Sequence, residues 1–260
     1  MRIIVDGNET NVGTGGRNFD PALPAVVFLH GAGLDHSVWA LLARAFAHRG
    51  CSVLAPDLPG HGRSAGAPLP SIGALADWTA ALIDAADVRA ARLVGHSMGS
   101  LVALETAGRH KQKVSGLGLI ATASVMTVSA DLLNAAKAND HAAFDMVAIW
   151  SHGHRATIGG SLVPGLWMLG GAERLLERAR PGVLFADLSA CNEYRDALAA
   201  AAKVTVPAAV ILGSRDLMTP AKNGKAIAAA LPAGRVTVLD GAGHMLMSER
   251  PEEVLAALRA

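Results

Sequence analysis

Apolar residues recur along this chain in two alternating rhythms. Ala25-Val26-Val27-Phe28-Leu29 is an unbroken apolar run, the pattern of a strand buried on both faces of a parallel sheet. Behind it Trp39, Leu42, Ala43 and Phe46 fall at the i, i+3, i+4, i+7 spacing of an amphipathic helix, which Gly50 stops. The cycle repeats in Ser52-Val53-Leu54-Ala55, then in the helical spacing of Leu75, Trp78 and Leu82, then in the strand Ala91 to Val94 and a helix from Met98 to about His110. Gly116 to Ala121 reads as a further strand. Ahead of all this, Ile3–Val5 and about Glu9–Val12 read as two short strands turning at Asp6-Gly7-Asn8. Strand and helix thus alternate through the first 120 or so residues, which predicts an open parallel sheet with helices on both faces.

The rhythm breaks at Thr122. From 122 to 202 the pattern is helical, without a strand, and carries Met126, Trp150, Trp167, Met168 and Phe185 among small residues. Alternation then resumes with Ala208 to Gly213, a helix expected to be capped by Thr219 with Pro220 at its first position, the strand Arg235–Leu239 and a last helix from Pro251. Residues 1–121 and 203–260 are therefore expected to form one sheet core, with 122–202 inserted as a helical cap over the strand ends.

In such sheets ligands bind at the carboxyl ends of the strands, and the polar residues worth attention lie there. Gly95-His96-Ser97-Met98-Gly99 sits where a strand turns into a helix. A tight turn pushes the Ser97 hydroxyl clear of the sheet, and the helix start aims free N–H groups at charge developing beside it. With 28 glycines in the chain, roughly 0.2 matches to this pattern are expected by chance, so context decides. A serine hydroxyl also needs a base and a group to orient that base. Asp216 follows the strand 208–213, and His244 follows the strand 235–239 in Asp240-Gly241-Ala242-Gly243-His244. Asp240, Asp57 and Asp35 also lie near strand ends. The order Ser97, Asp216, His244 is nevertheless the nucleophile–acid–base order of one particular fold.

The sequence resembles the α/β-hydrolase fold superfamily over nearly its whole length. The resemblance rests on five motifs in order: His30-Gly31-Ala32-Gly33, Pro56-Asp57-Leu58-Pro59-Gly60-His61-Gly62-Arg63-Ser64, the turn around Ser97, the loop around Asp216, and Gly241-Ala242-Gly243-His244. It implies Ser97 as nucleophile, His244 as general base and then acid, and Asp216 as its orienting partner. It also implies an oxyanion hole from the backbone N–H groups of Ala32 and Met98. A serine at 97 sets the chain apart from the haloalkane dehalogenase and epoxide hydrolase branches, which carry aspartate there. The expected activity is hydrolysis of a carboxylic ester or lactone of a small, fairly apolar substrate through an acyl-enzyme. Carbon–carbon bond hydrolysis, cofactor-free perhydrolysis and a ligand receptor without turnover stay open, since these branches share the triad and differ in cap and pocket. Trp150, Trp167, Met168 and Met218 are candidate pocket residues, and the Met98 side chain a candidate for the pocket floor. His30 reads as a structural histidine of the oxyanion loop, and Asp57 and Arg63 as shaping their own turn.

Composition narrows the field further. Apolar residues make up 51% and charged residues 17%, against about 45–50% and 25% in typical domains. That excess suits a large core plus an apolar pocket. The longest uncharged stretch, Val114 to Ala130, is interrupted by glycine, serine and threonine and falls short of the ~20 residues of a membrane span. The N-terminus is charged too soon to read as a signal peptide. A net charge of +1 without a basic run argues against nucleic acid. The two cysteines, Cys51 and Cys191, form no framework and read as thiols of a cytoplasmic protein. His152 and His154 lack further ligands for a metal, and Gly13-Thr14-Gly15-Gly16 opens no helix as a dinucleotide fingerprint would. No cofactor, no metal and no membrane partner are expected, and oligomeric state is not encoded legibly.

Overall fold

The computed structural model describes residues 1–259. Eight strands form one sheet: β1 (Arg2–Val5), β2 (Asn8–Gly13), β3 (Ala25–Leu29), β4 (Ser52–Pro56), β5 (Ala91–His96), β6 (Val114–Ile120), β7 (Ala208–Gly213) and β8 (Gly234–Leu239). Their spatial order is β1-β2-β4-β3-β5-β6-β7-β8. β1 and β2 pair antiparallel, β2 joins β4 antiparallel, and the remaining ladders are parallel. Every residue of β3, β4 and β7 is buried, so their apolar runs have both faces covered, whereas β8 closes the sheet as a half-exposed edge.

Side chains of one strand alternate between two cores, as a period of two requires. Val27, Leu29, Leu93, Leu119 and Leu212 point to the face covered by the helices Ile72–Ala85 and Met98–Arg109. Val26, Phe28, Val94, Ile120 and Ile211 point to the other, covered by Ala40–Ala47 and Pro251–Arg259. On that second face Phe28 packs on Trp39 and Phe46 with ring centroids 5.1 and 5.6 Å apart. Fully buried rings of this kind each contribute about 1.5–3 kcal/mol through apolar burial.

Between β6 and β7 the chain is helical, from Ala130–Ala138 through Ala197–Lys203. Two parts of this span go to different places. Helices Met168–Glu177 and Val183–Glu193 send Leu176, Leu184 and Leu188 over the strand ends beside Leu34 and Val147. Ala197–Lys203 packs instead beneath the sheet on Met98–Arg109, where Ala200 would touch a Cβ added at Gly108. The layer above the strand ends therefore stops short of the expected 202: the small residues of 197–203 suit close packing against another helix. Among the described residues no helix is long and apolar enough to cross a membrane.

A second difference concerns Thr219. The helix runs Ala221–Ala230 with Pro220 at its N-cap, and Thr219 does not cap it. Its hydroxyl is engaged by Asp216 and the Ala121 carbonyl.

The join between β5 and Met98–Arg109 admits no side chains. A Cβ on Gly95 would run into the Gly99 carbonyl oxygen, and one on Gly99 into the Leu29 carbonyl oxygen. Gly99→Ala is expected to lower stability by about 1–3 kcal/mol, the usual range for overpacking, read as a fall in the urea midpoint at unchanged m.

Candidate active site

Ser97 stands at that join with φ +53° and ψ −120°, a conformation a non-glycine residue adopts only when its surroundings enforce it. Its N–H donates to the Ile120 carbonyl at 2.9 Å, and its carbonyl accepts the N–H of Ser100 at 2.8 Å. The helix begins at Met98, so the Met98 N–H lies in the first turn, where no intrahelical acceptor exists. The stretch 30–33 lies against this turn: a Cβ on Gly31 would sit 3.3 Å from the Ser97 Cβ. Ala32, Ser97 and His244 all line one cavity of about 240 Å³.

His244 is buried and its Nδ1–H donates to Asp216 Oδ2 at 2.8 Å. The other Asp216 oxygen accepts the N–H groups of Met218 (2.9 Å) and Thr219 (2.8 Å), and the Thr219 hydroxyl donates to Oδ2 at 2.7 Å. Burial disfavours the Asp216 carboxylate, but the His244 charge and hydrogen bond, with the Thr219 N–H and hydroxyl, outweigh it and hold its pKa below the ordinary value. Of the other acids near strand ends, none reaches His244. Asp240 accepts from Ser214, Asp35 pairs with Arg178, and Asp57 binds His36, Asn11 and the N–H of Arg63, organising its own turn as its sequence context suggests.

Backbone bonds fix the His244 loop from two further sides. The Ser151 carbonyl accepts the N–H groups of both His244 (2.8 Å) and Met245 (3.0 Å). Glu249, buried, accepts the N–H groups of Gly153 and Gly243 at 3.1 Å each. These glycines touch: a Cβ on Gly153 would lie 3.0 Å from the Gly243 N. From below, His96 Nε2–H donates to the His244 carbonyl at 3.0 Å, with the two rings 4.8 Å apart. Complete burial lowers the His96 pKa to about 3, aided by the neighbouring His244 charge, so it stays a neutral spacer. His30 is similar: its Nδ1–H donates to the Gly31 carbonyl, its Nε2 accepts the Leu58 N–H, and burial lowers its pKa to about 4. It is a structural histidine of the loop. Burial also lowers the pKa of His152, whose Nδ1–H donates to the Ala148 carbonyl, while His154 is exposed.

The cavity walls are apolar. Leu176, Leu184 and Leu188 from the inserted helices line the cavity with Met126, Val128, Met218 and Trp150, and among the described residues no Lys, Arg, Asp or Glu does. Two expected pocket residues lie elsewhere. Trp167 is 70% exposed, and with Met168 it borders a separate hollow beside Leu41 and Met247. The Met98 side chain is buried in the core rather than on the pocket floor. Cys191, by contrast, reaches the cavity wall, a placement that one cysteine in a helical run does not reveal.

This architecture, with a serine on a strained strand-to-helix turn and a paired Asp and His on later loops, defines a class, and sequence comparison agrees. The chain belongs to the alpha/beta hydrolase family, whose profile matches residues 26–257. It is 34% identical over 246 residues to a pimeloyl-[acyl-carrier protein] methyl ester esterase of Chromobacterium violaceum, covering 90% of this chain and 92% of that one. A protein of the same name from Aromatoleum aromaticum is 32% identical over 248 residues, covering 88% and 94%. In structure the chain is similar to the enol-lactonase from Burkholderia xenovorans LB400, with a TM-score of 0.85, 23% identity and coverage of 100% and 98%.

Because the Asp216 pKa is depressed, its contribution to stability is present above the ordinary value of 3.8 and is lost as pH falls through the lower folded value. Thr219→Val removes one donor to that carboxylate. Stability at neutral pH is expected to fall by about 1.5–3 kcal/mol, the value of a hydrogen bond to a charged group. The drop between about pH 6 and pH 2 should shrink with it, as measured by urea unfolding across that range.

Proposed function

We propose that the protein is a serine hydrolase that cleaves an uncharged carboxylic ester or lactone through an acyl-enzyme. The observation that carries this reading is the bonded Asp216–His244 pair opening onto the same apolar cavity as Ser97. In this mechanism His244 Nε2 takes the Ser97 hydroxyl proton as the oxygen attacks the acyl carbon. Asp216 holds the ring with Nδ1 protonated and stabilises the imidazolium that forms. The N–H groups of Met98 and Ala32 receive the negative oxygen of the tetrahedral intermediate. On collapse the acyl–oxygen bond breaks and His244 returns the proton to the departing alcohol. A water, deprotonated by the same nitrogen, then attacks the acyl-enzyme and regenerates Ser97.

The walls support this substrate class. A cavity lined by no charged side chain offers a substrate carboxylate no counter-charge, and burying one unpaired is costly. The helices between Ala130 and Glu193 act here as a cap that shapes this space. The names of the relatives, methyl ester esterases and an enol-lactonase, support ester or lactone cleavage as the reaction type.

Ser97→Ala and His244→Ala are each expected to lower turnover of an activated short-chain ester by about 10⁴-fold or more with the fold intact. A panel of p-nitrophenyl esters, lactones and peroxide with halide identifies the reaction. Unchanged turnover in the purified variants contradicts the mechanism. Neutral acyl chains should exceed chains of equal length ending in a carboxylate by about 5- to 150-fold in kcat/KM, since one unmet polar group costs about 1–3 kcal/mol.

A further inference from the structure

A second buried Asp–His pair lies beside the oxyanion loop, and the mechanism above does not use it. Asp187 projects from the inserted helix Val183–Glu193. Its Oδ2 accepts the backbone N–H of Gly33 at 2.8 Å and the Nε2–H of His61 at 2.7 Å. Both side chains are 1% exposed, where an unpaired charge would be strongly unfavourable. The other His61 nitrogen lies 3.0 Å from the Pro59 carbonyl oxygen. Both ring nitrogens therefore face oxygen atoms, an arrangement that an imidazolium ring beside the Asp187 carboxylate satisfies. Burial opposes that charge, yet the Asp187 charge and hydrogen bond, with the Pro59 carbonyl, raise the His61 pKa overall. Neutral His30 lies against it, with ring centroids 4.9 Å apart.

Three segments distant in sequence meet at this one carboxylate oxygen: the loop 30–33, the turn 56–64 and an inserted helix. Gly33 is the neighbour of Ala32, whose N–H is the second oxyanion donor in the mechanism above. The helix rests directly on that loop, since a Cβ on Gly33, which has φ +69°, would meet Leu184 Cδ1 at 2.9 Å. We infer that Asp187 and His61 form a buried latch through which the inserted helices set the position of the Ala32 N–H, so that both are positioning residues for the oxyanion hole. This rests on the reading of Ser97 as nucleophile.

The test is steady-state kinetics of Asp187→Asn and His61→Gln on a p-nitrophenyl ester, with rates expressed per titrated active site so that loss of folded protein does not enter. A misplaced oxyanion donor weakens binding of the transition state and not of the ester. Each variant should therefore lose roughly 10- to 100-fold in kcat, less than complete removal of a donor, with KM within about threefold. The double variant should lose little more than the worse single one, because the two act as a unit. Asn retains no charge for His61, whereas Gln can still donate to Asp187; partial retention of kcat in His61→Gln relative to His61→Ala is the rescue expected of a positioning role. Should the variants not fold, the wild-type chain decides: imidazole ¹⁵N spectra are expected to show His61 doubly protonated at neutral pH, and a neutral ring overturns the latch. Unchanged kcat in both variants overturns it too. If the wild type shows no turnover dependent on Ser97, it is the proposed function that fails.

Discussion

Three backbone segments crowd together at the turn that presents Ser97. The Gly95 Cα faces the Gly99 carbonyl, and the Gly99 Cα faces the carbonyl of Leu29 on the neighbouring strand. Only with hydrogen at both positions can the helix Met98–Arg109 start this close to β3 and β5. The same closeness forces Ser97 to φ +53°, at a cost of order 1–3 kcal/mol, which the ladder bond to Ile120 and the fully packed helix behind it hold in place. Every other group of the site is placed relative to this turn: the loop 30–33 because β3 pairs with β5, and the Asp216 and His244 loops because β7 and β8 extend the same parallel sheet.

Loops at strand ends have no ladder to hold them, and here buried polar groups supply that order. Asp216 is satisfied by Met218, Thr219 and His244, and Glu249 by Gly153 and Gly243. Asp187 is satisfied by Gly33 and His61. Each carboxylate gathers backbone N–H groups from segments that would otherwise carry unmet donors in a dry interior. The apolar cavity between them is then bounded by loops with little freedom to shift, as electrostatic preorganisation demands.

The legible part of this chain was its local part. Strand runs such as 25–29 and 208–213, the glycine-flanked Ser97 and the loops carrying Asp216 and His244 each announce themselves within a few residues, so the sheet and the three polar residues could be read off directly. Thr219 looked like a helix cap because its neighbours are Met218 and Pro220; its hydroxyl instead serves Asp216, a choice fixed by the fold around it. Asp187 and Glu249 carry no sequence mark. Asp187 is 154 positions from Gly33 and 126 from His61, and Glu249 is 96 from Gly153. Trp167 and Met168 lie away from the Ser97 cavity, and a helical run rich in small residues leaves the facing side undetermined, so that Trp150 and Trp167 look alike in the sequence. For Met98 the sequence does not separate a side chain on the pocket floor from one in the core, where the fold places it.

The central claim is that Ser97 is the nucleophile the fold is built to present. Labelling the purified protein with a fluorophosphonate, followed by peptide mass spectrometry, tests it most directly. The account predicts one adduct per chain, on the peptide containing Ser97, and none in Ser97→Ala. An adduct on another residue, or labelling that survives the substitution, would contradict it.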